Sequence, residues 1–370
     1  MTTKWSSSCF GAVSGASRAQ HIFILARPAT SIRRYATKSA DQESDIDRHE
    51  RAALVEIQGL RKGDLLNPPR STRPPPLKLP ERGDANVALY YFRVGRSYGS
   101  FYWRGVKAVW FNHKAAKLFK QRMQKNGGSA APEKSSDAAS LLTRSQFQLL
   151  ERNSYDIGKL PFFGLLVAVF GEWLPLIVPF IPSAVPGTCR IPKQIADMRK
   201  KAEERRRISF RSAIEEPTAE QLVGDKHSTE KKSWATAHND YANALLGRLR
   251  TDQLLHLSST LNLHNRMWDR FQLAPPSFLL RRKVAKHLTY LTRDDQLLLK
   301  QPSAVKSLEF EEVHIACDER GLDVLGKRED TLRETLSIWL EHQKKDEGRG
   351  TAILKMLFRR PNAWTTKQGS

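Results

Sequence analysis

The sequence predicts an all-α fold in which a single transmembrane helix is followed by a helical domain. Three observations predict it. Residues 160–182 form an apolar run of 23 residues with one charge, Glu172, and about 20 helical residues cross a bilayer core of ~30 Å. Leucines recur at spacings of three and four from 254 to 340, the period of amphipathic helices. Proline-dense or Gly/Ser-rich stretches separate these parts as linkers.

The chain has 370 residues, enough for one substantial core and a second domain. Its formal charge is +22 and its mean hydropathy is −0.52. Such a balance favours a polyanion or an anionic membrane surface as partner, a basic exterior without a particular ligand being the plain alternative. Residues 1–35 hold Lys4, Arg18, Arg27, Arg33 and Arg34 and no acid, the composition of a mitochondrial transit peptide. Cleavage after Tyr35 would remove five of the +22 charges and leave +17, so the excess belongs mostly to the mature chain.

In order, 36–85 reads as a Pro-rich linker and 86–159 as an amphipathic helical region with a linker inside it. From Phe101 onward, Val106, Val109, Trp110, Leu118 and Phe119 recur near helical spacing with lysines between them. That helix either lies on a membrane interface or packs on its neighbour. A second linker covers 126–140, and Thr143 is placed to cap the helix that follows.

The run at 160–182 contains Pro161, Pro175, Pro179 and Pro182. A soluble helix would lose ~3 kcal/mol for each interior proline, whereas membrane helices resatisfy the freed carbonyls. The run is therefore expected to be a transmembrane span, with a buried or re-entrant hairpin as the alternative. Cations crowd its C-terminal flank (Arg190, Lys193, Arg199, Lys200, Lys201), which makes that side the positive one; in an inner mitochondrial membrane it would be the matrix face.

Residues 183–233 read as a charged helix and a linker, 234–345 as a compact helical domain, and 346–370 as a tail. Within the domain, Thr251 is expected to cap a helix lined by Leu254, Leu257 and Leu261. Pro275 and Pro276 open another, striped by Leu280, Val284, Leu288 and Leu291. Thr292 and Asp295 suggest a capping box that starts a new helix. Phe310, Val313 and Cys317 share a face. Gly321 and Gly326 end a turn, and Leu332, Leu336, Trp339 and Leu340 form the last stripe.

Several motifs occur in order: YWRGVKAVW (102–110), LTRSQFQLLERNSYDIGKLPF (142–162), TCRIPKQ (188–194), WDR (268–270), PPSFLLRR (275–282), and ACDERGLDVLG (316–326) followed by LRETLSIWL. Together they resemble the LETM family of mitochondrial inner-membrane proteins over roughly residues 90 to 345. TCRIPKQ is closest to short fungal members. The resemblance implies one inner-membrane span and a LETM ribosome-binding-like domain in the matrix. It also implies association with the mitochondrial ribosome and a role in potassium/proton or calcium/proton exchange. No D-x-[DN]-x-[DN]-G loop is present, so no EF-hand is indicated.

No GxGxxG, Walker A, HExxH or GxSxG motif occurs, so neither an enzyme nor a cofactor is indicated. The three cysteines form no CxxC, so no zinc site is expected and Cys317 reads as a buried thiol. His287 and His314 read as surface or satisfied histidines. Glu172 is the candidate ion or proton site, because ionisable groups at membrane depth are costly and often mark an ion path; such a path would need a homo-oligomer. The alternative is a protonated carboxyl bonded to carbonyls freed by Pro175 or Pro179. Arg281, Arg282, Lys283, Lys286 and Arg293 are candidate contacts to ribosomal RNA or protein through phosphate neutralisation. Arg205, Arg206 and Arg207 are candidate contacts to inner-membrane lipids. The function expected is ribosome binding at the membrane in support of membrane-protein biogenesis and mitochondrial organisation. An ion-exchanger subunit and a membrane-shaping scaffold are the alternatives.

Overall fold

In a computed structural model, residues 65–81, 87–126, 142–170, 181, 184–222, 242–346 and 351–364 are described, and every regular element among them is helical. The transit peptide, Glu172 and nearly all of the 126–140 linker lie outside the described residues. The main helices are α1 (Val87–Asn126), α2 (Arg144–Phe170), α3 (Pro192–Arg211), α4 (Thr251–Thr260), α5 (Ser277–Leu299), α6 (Phe310–Glu319), α7 (Glu329–Lys345) and α8 (Thr351–Phe358).

Local chemistry sets several of these boundaries. Gln146 N donates to Thr143 Oγ1 at 3.3 Å and Thr143 N to Gln146 Oε1 at 3.2 Å, so the expected cap starts α2 with two backbone donors satisfied. Gly321 (φ 72°) and Gly326 (φ 64°) take the left-handed conformation that the turn between α6 and α7 needs. Two expected starts are corrected. Thr251 lies inside α4, because Arg250 occupies the cap and its N–H donates to Gln253 Oε1. No helix begins at Thr292: α5 runs unbroken to Leu299, since Asp294 and Asp295 are held by side chains from other helices.

The main core collects the apolar stripes. Leu280, Val284, Leu288 and Leu291 of α5 meet Leu254 and Leu257 of α4, Val313 and Cys317 of α6, and Leu332, Leu336 and Trp339 of α7. Each such side chain contributes roughly 1.5–3 kcal/mol by leaving water. Phe310, expected on the inner face, is 47% exposed. The core also takes in residues outside 234–345: Leu66, Leu222, and Ile353, Leu354 and Leu357 of α8. Part of the Pro-rich stretch is thus docked. Asn67 donates to Ser307 O at 3.1 Å and accepts from Glu309 N at 2.9 Å.

A second cluster joins α1 to α2 and to the turn before α3. Phe101, Tyr102, Phe163, Leu166, Val185, Cys189 and Ile191 are buried together, with Tyr98, Phe170 and Ala184 packed against them. Here α1 approaches the turn so closely that a Cβ on Gly105 would lie 2.8 Å from Cys189 Sγ and 2.9 Å from Thr188 O, which only glycine avoids. Further along α1, Asn112 bonds Ser71, and Arg152 of α2 reaches Thr72. As α1 ascends from Phe101 to Asn112, its neighbours on α2 descend from Leu166 to Arg152, so the two helices are antiparallel.

Among the described residues no helix is long and apolar enough to cross a membrane. The described part of the apolar run is the last turns of α2, where Pro161 is accommodated within the helix. Phe162, Leu165, Val167 and Val169 are exposed there.

Candidate polyanion interface and the buried charges behind it

The predicted cationic residues of α5 divide by the helical period. Phe278, Arg282 and Lys286, at i, i+4 and i+8, are exposed on one stripe, Phe278 by 71%. Arg281 and Lys283 flank it half-buried, Lys283 donating to Leu263 O at 3.2 Å. Arg293 is only 6% exposed and falls on the inner side, so it is not part of that surface.

The α3 arginines are similarly redistributed. Arg205 is buried and bonds Asn262 Oδ1, His264 O and Asp269. Arg206 is buried and bonds Thr260 O and Glu203. Arg205 is engaged by the segment after α4 and Arg206 by α4 and by α3 itself, which corrects the expectation that they face lipid. Arg207 is exposed, with Glu203 as its partner at 2.9 Å.

A second exposed stripe lies on α1, a 40-residue helix without a single Asp or Glu. Trp103 and Trp110, 62% and 58% exposed, alternate with Lys107 and Lys114 at i, i+4, i+7 and i+11. Lys107 Nζ is 5.3 Å from the Trp103 ring and Lys114 Nζ is 5.9 Å from that of Trp110, within cation–π range. Trp110, expected on the inner face, points outward instead, and Val109 beside it is fully buried.

Behind these surfaces lies a buried ion network that sequence reasoning did not find. Arg320, at the C-terminus of α6, donates to Asp294 Oδ2 at 2.7 Å, to Asp295 Oδ1 at 2.5 Å and to Ala316 O at 2.8 Å. Trp339 Nε1 of α7 donates to the other Asp295 oxygen at 2.9 Å. From α2, Arg144 and Gln148 each donate to Asp294 Oδ1 at 2.8 Å. Arg152 grips Glu312 through two bonds of 2.8 Å. Arg73, from the Pro-rich stretch, reaches Glu309 and Glu311.

Burial would raise the Asp294 carboxyl, but Arg144 and Arg320 outweigh it and hold it well below the usual carboxylate range. For Asp295 burial prevails over Arg320 and the Trp339 N–H, and the shift is upward. The signal for this network was present in the sequence. Arg144, Gln148 and Arg152 are spaced i, i+4, i+8, and Asp294 and Asp295 fall on the same stripe as Leu291 and Leu298.

Beside the network lies a cavity of about 520 Å³ between α2, α3, α5 and α6, lined among others by Arg152, Arg206, His287, Tyr290 and Glu319. Tyr290 OH donates to Glu319 Oε2 at 2.7 Å and lies 2.8 Å from Gln148 Nε2. Burial pushes the Glu319 carboxyl up to about 7, against the opposing pull of Arg152. His287 Nε2 donates to Glu319 O at 2.8 Å, and burial pushes its imidazole down to about 4, so it is the satisfied neutral histidine expected. Cys189 and Cys317 are buried free thiols, each pushed up to about 12 by burial. No cluster of His, Cys, Asp or Glu able to hold a metal occurs among the described residues.

These features define an all-helical module with a basic exterior and an internal network of arginine–carboxylate pairs. A family model described as "LETM1-like, RBD" matches residues 142–357, more than half of the chain, and the chain belongs to that family. No solved structure matches it.

Proposed function

We propose that this chain is a mitochondrial inner-membrane protein that binds the mitochondrial ribosome on the matrix side and supports the biogenesis of membrane proteins there. Membership of the LETM family, whose members are in general inner-membrane proteins, supports the location. The exposed stripe of Phe278, Arg282 and Lys286, inside the matched region, is the observation that carries the ribosome reading. Lysine and arginine on one helix face neutralise phosphates and release counterions, and an exposed aromatic adds a stacking face that tolerates any base. No RNP motif is present, so the contact is to backbone and shape rather than to sequence. The exposed apolar end of α2 supplies the membrane contact.

Gradient sedimentation of detergent-solubilised mitochondria tests this reading. At low salt the chain is expected in the ribosomal fractions, and at high salt it leaves them. A chain that stays at the top of the gradient at both salt concentrations would overturn it.

A further inference from the structure

Just before the exposed apolar end of α2, two cations meet on one phenol. Lys159 of α2 donates to Tyr155 OH at 2.6 Å, and Arg190, in the turn before α3, bonds the same hydroxyl. Both also lie over the ring, Lys159 Nζ at 4.3 Å from its centroid and the Arg190 guanidinium at 5.4 Å. A phenol oxygen that accepts from two cations carries no charge to offset them. Asp156 beside it is buried and faces the turn, its Oδ1 accepting from Gly187 N at 2.6 Å. Among the described residues the Arg190 guanidinium bonds that hydroxyl alone, and its Nε is buried without a hydrogen-bond partner. Burial would raise the Tyr155 phenol, but Arg190 and Lys159 outweigh it and draw it below its ordinary value. Burial, helped by Arg190, also pushes Lys159 down, against the pull of Tyr155 and Asp156.

From this pair an apolar stripe leads away along α2. Phe162, Leu165 and Val169 are exposed and continue the face of Tyr155 and Lys159, each three or four residues after the last. Val169 lies ten residues beyond Lys159, about 15 Å along the helix, which is the hydrocarbon depth of one leaflet. The order of groups matches a phospholipid met from the side. Cations and a tyrosine stand at the level of the phosphate, and apolar surface follows for the length of an acyl chain. A free phosphate would engage the cations and leave the stripe unused. A zwitterionic headgroup would bring its own cation to a site that already holds two.

We propose that Tyr155, Lys159, Phe162, Leu165, Val169 and Arg190 form a site for one anionic phospholipid, its phosphodiester held by Lys159 and Arg190 and an acyl chain lying along the apolar stripe. The inference rests on the membrane contact by the end of α2 proposed above and gives that contact a headgroup preference. Tyr155 keeps the two cations together. A phosphodiester offers each of them, the Arg190 Nε included, a charged acceptor in place of a neutral one.

The test uses the purified full chain in neutral detergent. Native mass spectrometry counts the lipids retained as dioleoyl phosphatidylglycerol or dioleoyl phosphatidylcholine is titrated in. One phosphatidylglycerol should bind more tightly than any other lipid, and phosphatidylcholine should not match it. A cation beside an anionic headgroup contributes about fivefold in affinity, so Lys159→Gln with Arg190→Gln should weaken that site roughly 20-fold. Lys159→Arg with Arg190→Lys should keep most of the affinity. Leu165→Asn, at an exposed position, should weaken binding severalfold, and it decides the matter if the double glutamine variant does not fold. Millimolar inorganic phosphate should not displace the lipid. Equal retention of the two lipids, or affinity unchanged by these variants, overturns the inference, and a chain that still resists carbonate extraction from mitochondria leaves the membrane attachment standing. Displacement by inorganic phosphate assigns the cations to a free anion and overturns the phospholipid. Release of the chain by carbonate overturns the attachment and the inference together.

Discussion

Arg320→Leu is expected to lower the thermal unfolding temperature of the protein by about 10 °C or more. Arg320 is fully buried and serves two carboxylates that are themselves buried. Removing it strands Asp295 with the Trp339 N–H alone and leaves Asp294 to Arg144 and Gln148. Breaking one partner from a buried ion network costs about 3–5 kcal/mol, because the remaining charge has no water to return to. For a domain of roughly 200 residues each kcal/mol moves the midpoint by ~2–4 °C. The double variant Arg320→Leu, Asp295→Asn should recover much of that loss, since Asp294 keeps Arg144 and the cost lies in the uncompensated charge rather than in the missing bonds. Calorimetry of the wild type and both variants in detergent checks this. A single variant as stable as the wild type would mean that the network contributes nothing to the fold.

Glu319→Gln should make the protein more stable at pH 8 and change little near pH 4.5. Burial raises the Glu319 carboxyl from its ordinary 4.5 to about 7 in the folded state. A carboxyl raised on folding contributes stability in its protonated form. That contribution is complete below pH 4.5 and is lost as pH rises through 7. Glutamine keeps the acceptor for the Tyr290 hydroxyl and never ionises. The gain at pH 8 is therefore bounded by about 3 kcal/mol, at 1.36 kcal/mol for each pKa unit. Denaturant unfolding at the two pH values reads it directly. Equal stability of the two proteins at pH 8 would show that Glu319 ionises in the fold without penalty.

The helical domain was legible because its signals are local. Leucines at three- and four-residue spacing, Thr143 three residues before Gln146, and glycines at positions of positive φ each act within one or two turns. The burial of arginines was not legible in the same way. A run such as Arg205–Arg207 looks alike whether it faces lipid or protein. Only the partners Asp269 and Thr260, more than fifty residues on, show that the first two point inward and the third outward. The network fails to announce itself for the same reason: Arg144 and Asp294 are 150 residues apart. Thr292 and Asp295 have the residue types of a cap, yet their neighbours Arg320 and Trp339 hold the site inside an unbroken helix. The length of 160–182 fits a span, and residues 171–180 of that run lie outside the described residues.

The exposed face of α5 is the surface proposed to engage ribosomal phosphate. The most direct measurement is the affinity of the full chain in detergent for purified mitochondrial ribosomes across a salt series, compared with the variant Arg282→Ala, Lys286→Ala. Each phosphate contact contributes ~0.7–0.9 to the slope of log affinity against log salt. The predicted result is weaker binding with the slope reduced by about 1 to 2. Unchanged affinity and slope in the double variant would contradict the claim.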